Sequence, residues 1–316
     1  MHIVISDDHQ DCVRHLKCFS KLAGHTVEIF NDTLSETQDL ARRYANAEAI
    51  VLIRERTLIT KELLDQLPKL KVISQAGKIA SHVDLEGCKA KGIVVMDGRG
   101  SGASTAELNM LLILASLRKL VEEVTRLKDG QWQGYLGDQL SGKVLGVYGY
   151  GRIGKQICQL GQAFGAIPLV WGRSSSLEKT KQDGFTVANS KAAFFEQSDI
   201  VNLQLRLNEE TRGIVKASDL ALMKPTAILV NASRAELIEP GALENALKLG
   251  RPAYAAVDVY ESEPVLGANH PLLQLPNCLC TPHIGFVERD NYEAYFGLAF
   301  DNINAYQAGA PQNQVV

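Results

Sequence analysis

The chain reads VLGVYGYGRIG over residues 144–154, and this stretch decides the fold class. Its first half is an apolar run typical of a buried strand, and its second half is a GxGxxG motif followed by apolar residues at helical spacing. Strand, glycine turn and helix in this order are typical of a dinucleotide-binding unit, in which the pyrophosphate rests on the helix N-terminus. We therefore predict a dinucleotide site. Its contacts come from Gly149, Gly151, Arg152, Ile153 and Gly154.

Similar strand–helix alternation extends on both sides of this stretch. Short apolar runs separated by helical segments begin at Ile3 and continue to Val257. Such alternation predicts parallel sheets covered by helices. Residues 97–102 interrupt the series with three glycines and mark a crossing between domains. Apolar spacing over 104–127 predicts one long helix, opened by a capping box at Ser104. We therefore predict an α/β protein with two doubly wound parallel-sheet domains.

Length and composition exclude several classes of protein. The 316 residues suffice for two domains of roughly 150 residues each. A net charge of -3 excludes a broad basic field for nucleic acid or anionic membranes. No apolar stretch approaches the ~18 residues of a membrane span. The six dispersed cysteines, including the CLC run at 278–280, are interpreted as reduced structural thiols rather than metal ligands. The sequence therefore predicts a cytoplasmic protein without metal, nucleic-acid or membrane partners.

The turn after the next strand bears on the choice of dinucleotide. In this fold an Asp or Glu about 20 positions beyond the motif binds the ribose hydroxyls of NAD. This chain has Arg173 and Ser174 there, and no carboxylate. A guanidinium and hydroxyls suit a 2′-phosphate, and Arg206, after a later strand, adds a second cation. The sequence therefore favours NADP(H), with NAD(H) as the alternative.

Four blocks of the sequence together resemble the D-isomer-specific 2-hydroxyacid dehydrogenases, over nearly the whole chain. They are STAE at 104–107 with its helix, the glycine motif, MKPTAILVNASR at 223–234, and DVYESEP at 258–264 followed by TPHIG at 281–285.

The resemblance implies a domain arrangement. A Rossmann cofactor domain would span 102–282, and a flavodoxin-like substrate domain would combine 1–101 with 283–316. The active site is expected in the cleft, and a homodimer is expected through the cofactor domain.

The same resemblance implies roles for individual residues. Arg234 would bind the carboxylate and carbonyl of the substrate, His283 would donate or accept the proton, and Glu263 would support that histidine. Asp258 would lie near the nicotinamide amide. The first domain would contribute the remaining substrate contacts. These are backbone amides at Gly77, Lys78 and Ile79, with the Lys78 and Arg54 side chains placed to receive a second anionic group.

The chemistry of hydride addition accounts for these residue types. Reducing a 2-oxo acid leaves negative charge on the carbonyl oxygen, which requires a proton donor, and histidine is the usual choice. A neighbouring carboxylate favours the protonated ring. An arginine fork meets a planar carboxylate with two parallel hydrogen bonds. We therefore predict an NADP(H)-preferring oxidoreductase that interconverts a small 2-oxo acid and a D-2-hydroxy acid.

Two substrate classes and one other class of protein remain alternatives. Cations at Lys78 and Arg54 suit a phosphoglycerate dehydrogenase-like activity, whereas an NADPH preference suits glyoxylate or hydroxypyruvate reductase-like activity. Formate dehydrogenase shares the fold but has Gln where this chain has Glu263, and this difference disfavours it. A dinucleotide-sensing protein of the C-terminal-binding corepressor type would keep the same fold and site, and substrate-dependent turnover distinguishes it from an enzyme.

Overall fold

The structure, a computed structural model, describes residues 1–98, 100 and 102–316. The chain clusters into two compact units. The first comprises Met1–Ser101 with Glu288–Val316, and the second comprises Gly102–Val287. Each unit contains one sheet in which all strand pairs are parallel. The predicted α/β fold class is therefore confirmed.

The first unit contains a five-stranded sheet. Its strand order is β2-β1-β3-β4-β5, which is the flavodoxin-like arrangement. The two central strands β3 and β4 are buried along their whole length, as near-continuous apolar runs require. The strands are β1 His2–Ile5, β2 Thr26–Ile29, β3 Ala49–Ile53, β4 Val72–Ala76 and β5 Val94–Met96.

The last helix of the chain returns to this first sheet. The hydroxyl of Ser74 in β4 donates a hydrogen bond of 2.9 Å to the carbonyl of Ala299 in this helix. Phe296 and Phe300 are buried on its inner face. The helices of the first unit are α1 Thr37–Tyr44, α2 Lys61–Asp65, α3 Leu85–Ala90 and, at the end of the chain, α11 Arg289–Gln307.

The second unit contains a seven-stranded sheet with the order β12-β11-β10-β9-β6-β7-β8. The first strand of this sheet in chain order, β6, lies inside the sheet. Later strands are added first on one side of β6, as β7 and β8, and then on the other side, beginning with β9. Ligands of open α/β sheets bind outside the carboxyl ends of the strands at such a switch point. The strands are β6 Val144–Tyr148, β7 Ile167–Trp171, β8 Thr186–Val187, β9 Ile200–Leu203, β10 Ile228–Asn231, β11 Tyr254–Val257 and β12 Cys278–Cys280.

Helices cover both faces of this second sheet. Leu145 and Val147 of β6 belong to one buried apolar cluster, while Tyr148 belongs to the other. None of the helices in the described residues has the length and apolarity of a membrane span. The helices of the second unit are α4 Ala103–Arg118, α5 Leu120–Lys128, α6 Arg152–Ala163, α7 Ser174–Gln182, α8 Lys191–Gln197, α9 Ala217–Leu222 and α10 Ala242–Lys248.

The prediction of one uninterrupted helix over 104–127 is wrong. Helix α4 ends where Lys119 adopts the left-handed conformation with φ 52°, and α5 begins one residue later. The Lys119 ammonium lies 3.5 Å from the centre of the Tyr254 ring. The predicted capping box is also absent, because α4 begins at Ala103 with Gly102 as its N-cap and no side-chain cap bond. Apolar spacing continues across the break, so it does not reveal the change of direction.

The second unit extends beyond the boundary that the sequence predicted at residue 282. Residues 283–287 cluster with the second unit rather than with the C-terminal helix. The buried carboxylate of Asp258 accepts hydrogen bonds from the amides of Ile284 and Gly285, both at 2.8 Å. These bonds attach the segment to the end of β11, and motif spacing alone does not show them.

Candidate active site

The glycine motif forms a tight turn between β6 and α6. Gly149 has φ 108°, and a Cβ there would overlap the carbonyl oxygen of Gln204. A Cβ at Gly154 would overlap the carbonyl oxygen of Gly149, so helix and strand pack too closely for any side chain. Gly151 differs, because a Cβ there would meet no atom within 4 Å. The first and third glycines therefore serve packing, and the second leaves open space beside the backbone.

A pyrophosphate fits this open space. Gly151 is the N-cap of α6, and no side chain caps the helix. The first amides of a helix, here beginning with Arg152 and Ile153, lack intrahelical partners and form the positive end of the helix dipole. The turn also lies at the switch between β6 and β9. The residues present therefore fit a dinucleotide, as the motif predicted.

The residues predicted to select the cofactor lie at two strand ends on either side of β6. Arg173 is the exposed N-cap residue of α7, two residues after β7, and Ser174 is the first residue of that helix. Arg206 is exposed three residues after β9. Within the described part of the chain, neither guanidinium forms an ion pair. The strand order places both cations next to the carboxyl end of β6.

His283 and Glu263 form a close pair. The Nδ1 atom of His283 lies 2.5 Å from Oε2 of Glu263, and the two side chains are only 16% and 19% exposed. The other carboxylate oxygen of Glu263 accepts a 3.0 Å bond from the amide of Tyr260. With Nδ1 engaged by the carboxylate, Nε2 is the ring nitrogen available to exchange a proton.

Asp258 holds the loop that carries this histidine. Its carboxylate is fully buried and accepts bonds from the Thr281 hydroxyl at 2.6 Å and from the amides of Ile284 and Gly285. Burial raises the pKa of the Asp258 carboxyl, whereas these hydrogen bonds oppose the increase. Between the bonded residues, His283 adopts φ 52°, which is unfavourable for a residue with a Cβ. The Asp258 bonds stabilise this conformation. The contact predicted between Asp258 and the nicotinamide amide stays a prediction.

Arg234 follows β10 in a short, internally bonded turn. Buried Asn231 donates from its side-chain amide to the Arg234 carbonyl at 2.8 Å and accepts from the Ser233 amide at 3.1 Å. The Arg234 guanidinium donates to the Ser233 carbonyl at 2.6 Å. Asn231 therefore fixes the backbone from which the arginine projects, a role that the motif spacing does not reveal. The sequence feature that marks Asn231 is its position as the polar last residue of the otherwise apolar strand Ile228–Asn231.

A second polar group that the motif spacing does not reveal lies between α4 and the sheet. Asn109 accepts side-chain bonds from Asn202 at 2.7 Å and from Gln204 at 3.0 Å. One turn earlier on α4, the Thr105 hydroxyl donates to the carbonyl of Gly285 at 2.9 Å. Helix α4 is thereby bonded both to the end of β9 and to the histidine loop.

In the first unit, the predicted substrate loop is bonded to Asp97. The Lys78 ammonium lies 2.5 Å from one Asp97 oxygen, and the Ile79 amide donates to the other at 3.2 Å. Gly77 has φ 118°, and a Cβ there would lie 3.4 Å from Nη1 of Arg54. The Ile79 amide is therefore already engaged, and Lys78 has a carboxylate partner that the sequence did not reveal.

A glycine turn that fits a dinucleotide and a histidine paired with a carboxylate both follow strands of one parallel sheet, the arrangement of an α/β oxidoreductase. A family model for the NAD binding domain of the D-isomer specific 2-hydroxyacid dehydrogenases matches residues 110–285. The phosphoglycerate oxidoreductase structure from Vibrio cholerae O395 is 48% identical, with a TM-score of 0.95, and the match covers 98% of this chain and 100% of that one.

Two curated relatives extend the comparison. The glyoxylate reductase of Aeropyrum pernix is 36% identical over 88% of this chain and 85% of its own length. The D-3-phosphoglycerate dehydrogenase of Methanocaldococcus jannaschii is 32% identical over 99% of this chain but only 59% of its own length. The chain thus spans less than two thirds of that longer relative.

The chain belongs to the D-isomer specific 2-hydroxyacid dehydrogenase family. Its cofactor is a nicotinamide dinucleotide, in agreement with the glycine turn. The resemblance stated from the sequence is therefore confirmed, and nothing in these relatives favours a corepressor.

Proposed function

We propose that this chain reduces a small 2-oxo acid to a D-2-hydroxy acid with NADPH as the preferred cofactor. The second unit would bind the dinucleotide, and the first would contribute to substrate binding. The observation that carries the proposal is the 2.5 Å contact between His283 and Glu263. These residues follow different strands of the sheet that carries the glycine turn, and a histidine held by a carboxylate suits a reaction that exchanges a proton.

The chain's own residues supply binding and proton transfer. The bound cofactor would supply hydride to the substrate carbon. Arg234 would bind the substrate carboxylate, orient the substrate carbonyl and stabilise the developing oxyanion. Glu263 holds the His283 ring through Nδ1, so that Nε2 delivers the proton to the carbonyl oxygen. The buried Asp258 carboxylate keeps the histidine loop in place.

Turnover against a matrix of substrates and cofactors tests the proposal. Glyoxylate, hydroxypyruvate and phosphohydroxypyruvate should each be assayed with NADPH and NADH, and compared by kcat/KM. Turnover of at least one 2-oxo acid supports the proposal. Dinucleotide binding without turnover of any 2-oxo acid would instead identify a sensor protein.

The cofactor preference yields a first prediction. Arg173→Asp should lower kcat/KM with NADPH by at least about tenfold and change the NADPH-to-NADH ratio in favour of NADH, because it replaces a donor to the 2′-phosphate with a like charge. Lys179→Asp, an equal change of charge farther along α7, is the matched control and should leave the ratio unchanged. A wild-type preference for NADH would refute the NADP(H) assignment.

The charges in the first unit bear on the choice of substrate. Arg54 lies beside Gly77, and Lys78 is half exposed beside Asp97. We infer that these cations receive an anionic substituent on the substrate, with Gly77 and Lys78 contributing backbone amides. For Lys78 this means that a phosphate or second carboxylate must compete with Asp97 for the ammonium.

Lys78→Ala therefore should reduce kcat/KM severalfold more for phosphohydroxypyruvate than for glyoxylate, which has no substituent to reach a second cation. The measurement is the ratio of the two kcat/KM values in variant and wild type. Lys89→Ala, another exposed lysine of the first unit, is the control. Equal losses on both substrates would show that Lys78 acts by anchoring the loop to Asp97.

We also propose a homodimer through α5 and the loop that follows it. Helix α5 has no buried residue, although it carries Leu120, Val121, Val124 and Leu127. Beyond it, Trp132 is 75% exposed and Leu136 is fully exposed. An apolar stripe of this kind is normally buried, and a second copy of the chain would cover it.

Val124→Asp combined with Leu127→Asp should convert the dimer to a monomer, because each change places a charge in the apolar contact. Sedimentation equilibrium would report the mass of one 34.5 kDa chain instead of two. The control is Leu249→Asp, because that leucine is 86% exposed at the C-terminal end of α10, outside the proposed contact. A monomeric wild-type protein would contradict the proposed interface.

A further inference from the structure

Two cysteines with no role in the proposed chemistry lie immediately before the histidine loop. Cys278 and Cys280 are the first and last residues of β12, the edge strand of the second sheet. Because side chains alternate along a strand, both thiols project from the same face. Their sulfur atoms are 3.7 Å apart, and both residues are partly exposed.

We propose that Cys278 and Cys280 form a reversible disulfide on reaction with a peroxide, and that this disulfide lowers the dehydrogenase activity by displacing the His283 loop. The proposal rests on the proposed function for its effect on activity. The formation of the disulfide is independent of that function.

The two thiols differ in reactivity. The hydrogen bond between the two thiols lowers the pKa of the Cys280 thiol, so Cys280 ionises first. By contrast, burial and the neighbouring Asp8 raise the pKa of Cys12, the other partly exposed cysteine, to about 12. The thiolate is the form that attacks oxidants, so Cys280 is the expected point of attack.

Oxidation would proceed in two steps, with hydrogen peroxide as the oxidant. The Cys280 thiolate attacks one peroxide oxygen, the O–O bond breaks, and a sulfenic acid forms on Cys280 as water leaves. The Cys278 sulfur then attacks the sulfenic sulfur, the S–S bond forms, the S–O bond breaks, and a second water leaves with the Cys278 proton. Two thiols are oxidised, and one hydrogen peroxide is reduced to two waters.

Disulfide formation would deform the end of β12. Alternate Cα atoms of an extended strand are about 6.6 Å apart, near the upper end of the roughly 4.4–6.8 Å that disulfides span and above their most common separation of about 5.5–6 Å. Closing to that common separation would contract or bend the strand by up to about 1 Å at Leu279. The sulfurs already touch, so this closure needs only a local movement.

The contraction would reach His283 through Thr281. The Thr281 amide donates to the Val257 carbonyl of β11 at 2.9 Å, its hydroxyl binds Asp258, and its carbonyl accepts from the His283 amide at 3.0 Å and from the Tyr260 hydroxyl at 3.0 Å. Moving Thr281 disturbs these four bonds, and through Asp258 and the His283 amide it shifts the loop that holds the histidine against Glu263. A misplacement of about 1 Å at a reacting group lowers rates on the order of 10²-fold.

The experiment treats the full-length protein with hydrogen peroxide, alkylates the remaining thiols and digests it with trypsin. Residues 249–289 contain no cleavable Lys or Arg before Arg289, because Arg251 precedes a proline. This single peptide contains both cysteines and no others. We expect it to lose two hydrogen atoms in mass and to escape alkylation, and dithiothreitol should reverse both effects.

Activity is measured on the same samples. Wild type should lose activity on the order of 10²-fold and recover it with dithiothreitol. Cys280→Ser and Cys278→Ala should show no such reversible loss, while Cys12→Ser, the matched control, should behave as wild type. The proposal fails if the peptide never forms the disulfide, if the disulfide leaves activity unchanged, or if Cys280→Ser is inactivated and rescued like wild type. An inactive reduced wild type would refute the proposed function instead, and the mass measurement would still report on the disulfide.

Discussion

Replacing His283 with alanine is expected to lower kcat/KM for 2-oxo acid reduction by about 10²- to 10⁴-fold, the range for loss of a general acid. Alanine cannot deliver a proton to the carbonyl oxygen, and the Glu263 carboxylate loses the ring that it holds. Dinucleotide affinity should change little, because the glycine turn follows β6 whereas His283 follows β12. Steady-state kinetics and a fluorescence titration with NADPH measure the two quantities separately.

The chain provides a matched control for this prediction. His270 also pairs with a carboxylate, its Nε2 lying 3.1 Å from Oε2 of Glu261, and its side chain is 16% exposed, like that of His283. His270→Ala should retain activity close to wild type. Glu263→Gln should cost less than His283→Ala, because the amide oxygen still accepts from Nδ1 but the charge is lost. An active His283→Ala protein would remove this histidine from the mechanism.

Replacing Arg234 with glutamine should lower kcat/KM on the order of 10²- to 10³-fold, as expected for loss of a donor to a developing oxyanion. Both constants should change: KM rises because the carboxylate loses its partner, and kcat falls because the carbonyl loses its orientation. Arg234→Lys should be intermediate, since it keeps the charge but loses the planar fork. Steady-state kinetics on glyoxylate and hydroxypyruvate measure both constants.

Arg212→Gln is the control for the arginine prediction. Its guanidinium is largely exposed and lies 3.8 Å from Glu236 in the same unit. This variant should behave as wild type. If Arg234→Gln raised KM without any change in kcat, the arginine would bind substrate in the ground state only, and its assigned role with the oxyanion would be wrong.

Residues whose roles depend on local chain geometry could be predicted from the sequence. The GxGxxG turn is an example, because Gly149 and Gly154 are required by contacts within a few residues and by one neighbouring strand. The family followed from several such blocks taken together. The same reasoning identified His283, Glu263 and Arg234 as candidates, and the structure shows that the first two are in contact.

Other residues could not be placed because their partners are distant in sequence. The sequence predicts that Lys78 is available for substrate, whereas Asp97, 19 positions later, binds its ammonium. Apolar spacing predicts that helix α4 continues to residue 127, but the left-handed Lys119 ends it. Both features depend on tertiary contacts, and a periodic pattern records only which face of an element is apolar.

The sequence by itself determined the two parallel sheets, the dinucleotide turn and the family, because apolar periodicity and glycine spacing are local properties of the chain. Only the tertiary structure decided how the histidine is held. The bonds from Asp258 to the loop amides stabilise the left-handed backbone of His283, and Glu263 fixes its ring. These contacts join residues about 20 to 27 positions apart, and their geometry exists only once the strands that carry them lie side by side.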